Sequence, residues 1–338
     1  MYIKCLFITI ICALTGTPLG EQAIASYNAS LSEATVHNRY TQATAYLTFT
    51  VYYGVNILFP NRGDCCLFQQ YLANSLTSPA SRGNYTSGAK IWVEERGGDG
   101  RYFRCPDANK VAKGAQNANP HTPHPAPALM PQDLVAACRF LDKALSGLPV
   151  KAAVCIGYFA FLRRSNLLSP SAALWPGPHT LQRQDIISNQ EGLQVVIRSS
   201  KTIKRGTLPT VLVLPRIPTS PACPATAWDR YVDMIPGSPT SPAFLLQDGQ
   251  PLTSQQMVIV LQAALLDAGC PYALQISSHS LRRGGAQAAV ASGCSKKDVA
   301  VHGTWKSKSG LRSYIPSHSS LTVARGLASL FAPKSLSD

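Results

Sequence analysis

The chain has 338 residues, 45% of them hydrophobic and only 14% charged, a composition that excludes a disordered chain and leaves room for two domains with separate cores. Its 31 Lys and Arg against 17 Asp and Glu give a formal net charge of +14, which points to a polyanionic partner, nucleic acid before anionic membrane. The excess is uneven: residues 121–338 carry 21 basic and 10 acidic side chains.

At the N-terminus, Lys4 precedes an apolar run from Cys5 to Leu14 and then Thr15-Gly16-Thr17, in the form of a secretory signal peptide. Asn-x-Ser/Thr sequons follow at Asn28 and Asn84. Residues 1–29 are therefore set apart as a leader, either a signal peptide or a fragment of upstream coding sequence. No other apolar stretch approaches the length of a membrane-spanning helix. The ten cysteines form no CxxC pair and no Cys/His zinc spacing, and several lie in apolar runs, so reduced, structural thiols are expected.

Helical character begins near Ser32 and continues through Tyr40, Ala43, Leu47 and Phe49. Further helices are predicted over Cys65–Leu76, Tyr85–Glu95 and Ala108–Asn117, giving a helical domain over residues 30–118. The run Asn119-Pro120-His121-Thr122-Pro123-His124-Pro125-Ala126-Pro127 sustains neither helix nor sheet, so residues 119–128 read as a linker. From residue 129 to 338 a second domain is expected. It opens with a helix over Pro131–Ser146, and Val150–Leu168 is apolar nearly all round, as a buried central helix requires. Strand character appears at Val195-Val196-Ile197 and Val211-Leu212-Val213, flanking a basic turn at Lys201–Gly206. Helices are then predicted over Ala225–Met234, Ser254–Ala268, Ser278–Ser292, Lys296–Val301, Lys308–Tyr314 and Leu321–Phe331. The fold class is mainly α with one small antiparallel sheet.

The most basic segment runs from His279 to Arg312, with seven Lys/Arg and one Asp. His279 and Arg282, three residues apart, share a helix face and can reach one phosphate. His279-x-x-Arg282, followed by Trp305 and by Tyr314 nine residues later, resembles the C-terminal box of the tyrosine recombinases (phage integrases). Gly157–Leu167, with Arg163-Arg164-Ser165-Asn166, resembles that family's first-arginine helix. Ser200-Lys201-Thr202-Ile203-Lys204-Arg205-Gly206 resembles its lysine hairpin. The resemblance covers about residues 30–335, and its wording is nearest to the DIRS-like recombinases of eukaryotic mobile elements.

The resemblance implies a core-binding domain joined to an α/β catalytic domain. It also implies that Arg163, Lys201, His279, Arg282, Trp305 and Tyr314 form a DNA-cleaving site, with Arg164, Lys204, Arg205, Arg283, Lys306, Lys308 and Arg312 as further DNA contacts. Guanidiniums would neutralise the nonbridging phosphate oxygens, and the Tyr314 phenol would attack in line. His279 would serve as base or donor, Lys201 would protonate the leaving 5′ oxygen, and Trp305 would pack against and orient the phosphate. The 3′-phosphotyrosyl link would conserve the bond energy, so no cofactor is implied. Double-stranded DNA is the implied partner, with a homotetramer on paired sites, no small-molecule substrate, no membrane, and nuclear localisation. Asn166 stands where the family commonly has an acidic residue that steadies the active-site arginine. Three other readings stay open at this level: a decayed DNA-binding module, a type IB topoisomerase, and a secreted basic protein with disulfides.

Overall fold

Short polar residues ahead of each apolar segment start many of the helices, because their side chains satisfy first-turn N–H groups that have no partner within the helix. In the computed structural model, residues 17–122, 124–169, 171–175, 179–200 and 208–305 are described. They fall into two units, divided in sequence between His124 and Pro125, inside the proline-rich run.

The first unit is helical: α1 (Pro18–Ser30), α2 (Glu33–Tyr53), α3 (Arg62–Ser75), α4 (Pro79–Glu94) and α5 (Pro106–Ala118). Residues 18–30, grouped with the leader by composition, are thus helical, and the Tyr27 hydroxyl donates to Glu95, which also pairs with Arg39 at 2.8 Å. Ser32 caps α2, and Asn61 with Asp64 forms a reciprocal capping box on α3. The α4 helix begins six residues before the predicted start at Tyr85. Gly83 and several serines weaken its helical pattern, but Ser78 caps it and Pro79 opens its first turn. The core is aromatic. The Tyr46 ring meets those of Phe68 and Phe103 edge-on at 5.3 Å, and Phe49 lies 5.1 Å from Phe68.

The second unit contains α6 (Pro131–Leu141), α7 (Leu148–Phe159), α8 (Arg164–Leu167), α9 (Pro224–Met234), α10 (Ser254–Asp267), α11 (Ser278–Ala291) and α12 (Lys296–His302). Its antiparallel sheet has the order β1 (Ile186–Ser188), β2 (Gly192–Ile197), β3 (Thr210–Pro215), with Val195 opposite Leu212 in the central pair. All twelve residues of α7 are buried, Lys151 included, whose Nζ donates to Asp142 at 2.6 Å. Helix α11 lies directly on the end of α7. A Cβ at Gly285 would stand 2.1 Å from the Tyr158 carbonyl oxygen, and one at Gly284 would stand 2.1 Å from that of Leu129.

One predicted element differs in kind. Val150–Leu168 reads as a single helix, yet α7 ends at Phe159 and a short turn of helix resumes only at Arg164. Between them Phe161 has φ 48°, a left-handed conformation that an aromatic residue rarely adopts. Arg163 therefore caps α8 in extended backbone rather than riding on the central helix. The predicted helix Pro131–Ser146 likewise stops at Leu141, and Leu145–Gly147 makes a separate 3-10 turn. The predicted helices Lys308–Tyr314 and Leu321–Phe331 lie outside the described residues. Among the described residues, no helix is long and apolar enough to cross a membrane, and the eight cysteines are free thiols.

Candidate active site

Four chain segments converge on one pocket: the break after α7, the hairpin base, α11, and the turn that ends α12. Phe161, Arg163, Asn166, Arg282, His302 and Thr304 are among the residues that line it. Arg282 enters from α11 and is only 3% exposed. Its Nη1 donates to the Phe161 carbonyl and its Nη2 to that of Gly303 at 2.7 Å. The Trp305 ring covers the guanidinium, with Cζ 3.8 Å from the ring centroid. That ring also lies against Gly303, where a Cβ would stand 1.8 Å from Trp305 Cζ3, so no larger residue fits beneath it. These contacts fix the direction of the guanidinium.

Arg163 is half-buried and donates from Nη1 to Thr304 Oγ1 at 3.2 Å. Thr304 has φ 55°, so left-handed residues stand at both acceptor positions, Phe161 beside Arg282 and Thr304 beside Arg163. Each such conformation costs an L side chain about 1–2 kcal/mol. Backbone strain in this unit is thus concentrated where the two arginines are held.

The rim is strongly positive. His279, at the start of α11, is open to solvent along part of its ring. Its pKa is nevertheless held below the ordinary value, first by the protein packed around it and then by Arg164, Arg282 and Arg283. The shift favours the neutral ring, the form in which a histidine can accept a proton. Arg164 is exposed and Arg283 half-buried; neither lines the pocket, and both are near enough to His279 to act on its ring.

Sequence reasoning did not single out His302. Its Nε2 lies 2.8 Å from the Phe159 carbonyl, which can only accept, so Nε2 carries the proton and the ring is the Nε2–H tautomer. Burial pushes its pKa down, partly offset by that bond. The ring packs edge-on against Phe161 at 4.8 Å, supporting the residue that holds Arg282. Only its closeness to Trp305 in the sequence hinted at this place.

Asn166 corrects an expectation of chemistry. As a replacement for an acidic residue it reads as an acceptor that steadies an arginine. Instead its buried Nδ2 donates to two carbonyls, that of Ser199 at 2.9 Å and that of His179 at 3.2 Å. A carboxylate cannot make either bond. His179 Nδ1 and Ser199 Oγ share a further hydrogen bond at 2.7 Å. The amide thus ties α8 to the end of the hairpin strand two residues before Lys201.

Of the other sequence-predicted residues, Lys201, Lys204, Arg205, Lys306, Lys308, Arg312 and Tyr314 lie outside the described residues. Among the described residues, no cluster of His, Cys, Asp or Glu is placed to hold a metal ion.

No family model and no curated protein matches the sequence. Solved structures do match the fold. A Tn1549 transposon integrase in complex with transposon right-end DNA aligns with a TM-score of 0.57 at 14% identity, over 96% of this chain and 98% of that one. A lambda integrase dimer bound to a COC′ core site aligns at 0.55 and 12%, over 84% and 72%. XerH site-specific recombinase bound to a palindromic difH substrate aligns at 0.50 and 15%, over 75% and 68%. The chain has the mostly helical, two-domain fold of the tyrosine recombinases.

Proposed function

We propose that the chain is a tyrosine recombinase that cleaves and rejoins double-stranded DNA through a 3′-phosphotyrosyl intermediate. The observation that carries this reading is the pairing of Arg163 and Arg282 in one pocket, Arg163 aimed by the Thr304 hydroxyl and Arg282 by two main-chain carbonyls. A phosphodiester needs such a pair, because negative charge grows on its nonbridging oxygens as the attacking oxygen bonds to phosphorus. Arg163 and Arg282 hold those oxygens, and the indole of Trp305 fixes the plane of Arg282. His279 accepts or shares a proton beside Arg282. Tyr314 supplies the attacking phenolic oxygen and Lys201 the proton for the departing 5′ oxygen. Attack by a second strand's 5′ hydroxyl on the phosphotyrosine then restores the phenol and joins the strands.

Arg164, Lys204, Arg205, Arg283, Lys306, Lys308 and Arg312 serve duplex phosphates around this centre. The working assembly is a homotetramer on paired sites, and the reading extends to a nuclear enzyme of a DIRS-like mobile element. The test is covalent trapping on a nicked suicide duplex. The wild-type chain is expected to become linked to DNA, and Tyr314→Phe to bind the duplex without any adduct. An adduct that persists in Tyr314→Phe would remove that residue from the role, and a wild-type chain that binds without cleaving would leave only a DNA-holding module.

A further inference from the structure

We propose that Thr304 is a positioning residue for Arg163, holding its guanidinium from a backbone conformation that β-branched residues avoid. The proposal rests on the assignment of Arg163 to the scissile phosphate. Thr304 follows the close of α12 with φ 55°, where a second substituent on Cβ crowds the backbone. Glycine adopts this conformation freely, so conformational preference alone would place glycine here. A threonine in this turn calls for a compensating contact, and the structure supplies one: Oγ1 accepts from Arg163 Nη1 at 3.2 Å, across 141 residues of sequence.

The chemistry of that partner suits the task. A carboxylate would hold the arginine harder but would cancel the charge needed at the phosphate. A hydroxyl is neutral, has two lone pairs, and fixes the direction of one N–H while leaving the cation intact. The same turn carries the Gly303 carbonyl that holds Arg282 and the Trp305 ring that covers it. Thr304 therefore ties the reach of Arg163 to the element that aims Arg282. At Phe161 the corresponding acceptor is a main-chain carbonyl, which substitution cannot delete. At Thr304 it is a side chain, so the idea can be tested directly.

The experiment compares the full-length chain with Thr304→Gly, Thr304→Val and Thr304→Ser. Four quantities are measured: the rate of adduct formation at saturating suicide duplex, the Kd for that duplex, Tm, and the 15N resonances of the Arg163 guanidinium, assigned by their loss in Arg163→Lys. Glycine should lower the rate about 10- to 100-fold, leave Kd unchanged, and keep Tm at or above wild type. Valine keeps the β-branched shape without the acceptor and should lose the rate equally. Serine should restore it. The Arg163 Nη resonances should be resolved in wild type and Thr304→Ser, and averaged by rotation in the Gly and Val variants. Wild-type rates in Thr304→Gly or Thr304→Val would overturn the proposal, as would a fall in Tm that accounts for the lost rate. If the wild-type chain forms no adduct, the recombinase reading fails separately, and the guanidinium resonances alone decide whether Thr304 holds Arg163.

Discussion

The two ends of the central helix α7 treat a buried cation in opposite ways. At its first turn Lys151 is 8% exposed and sits 2.6 Å from Asp142, which also takes Arg230 at 2.8 Å. There the charge meets a carboxylate, and the pair joins α7 to α9 and the end of α6. At its far end Arg282 is as deeply buried, but carbonyl oxygens and an indole ring hold it. Dipoles and a π face orient a cation, whereas a carboxylate also offsets its charge. On the proposed function, the difference separates a charge kept for structure from one kept for chemistry.

The largest expected effect comes from exchanging these cations one at a time. Arg282→Lys keeps the positive charge but removes the planar two-pronged donor; adduct formation should fall about 100- to 1000-fold, and stability by about 1–3 kcal/mol as a buried carbonyl loses its donor. Lys151→Met should leave the rate unchanged and cost about 1–3 kcal/mol in denaturant unfolding, a value reduced because Asp142 is partly solvated and keeps Arg230. Equal losses of activity in both variants would erase the distinction between the two ends.

A middle-sized effect is expected at Asn166. Replacing it by Asp restores the family's acidic character but turns a double donor into a group that repels two carbonyls, at 3% exposure. Unfolding free energy should drop by about 2–4 kcal/mol, and adduct formation should slow with it because the hairpin base loosens. An Asn166→Asp variant as stable as wild type would show that the amide is not needed as a donor.

The smallest effect concerns pH. The pKa of His279 is lowered by packing and by Arg164, Arg282 and Arg283. Bound DNA phosphates would offset those charges and raise it, so the complex binds more protons than the free chain. Affinity should therefore rise as pH falls through the ordinary imidazole range near 6.5, and flatten once His279 is also protonated in the free chain. Titration of Kd against pH at constant ionic strength measures this slope, and His279→Gln should remove it. A slope unchanged in that variant would assign the proton to another group.

Much of the architecture is written in local signals. Thr253 with Gln256 marks the start of α10, and the aliphatic, largely β-branched runs Val195–Ile197 and Val211–Val213 mark the central pair of the sheet. The break after α7 is not local. Nothing between Phe159 and Arg163 is a proline or a glycine, and apolar periodicity runs straight through it. The chain turns left-handed at Phe161, whose carbonyl meets a guanidinium 121 residues away, so a tertiary bond overrides propensity. Asn166 shows the same limit from the chemical side. Its identity is legible, but whether an amide gives or receives depends on what the fold sets against it. Arg163, Arg282 and Trp305 were singled out as an ordered set, whereas Thr304 and His302 had no pattern to announce them. Their roles come from where α12 ends.

The Gly284–Gly285 pair has a consequence for how this centre can drift. Gly285 brings the α11 main chain against the Tyr158 carbonyl at the end of α7, and Gly284 brings it against that of Leu129, so neither position can carry a side chain of its own. Substitutions elsewhere in the interior can accumulate, swell or shrink the packing, and leave the gauge between those two helices alone. The working distances would then outlast most of the sequence around them, which suits a chain whose solved counterparts share only 12–15% of its residues.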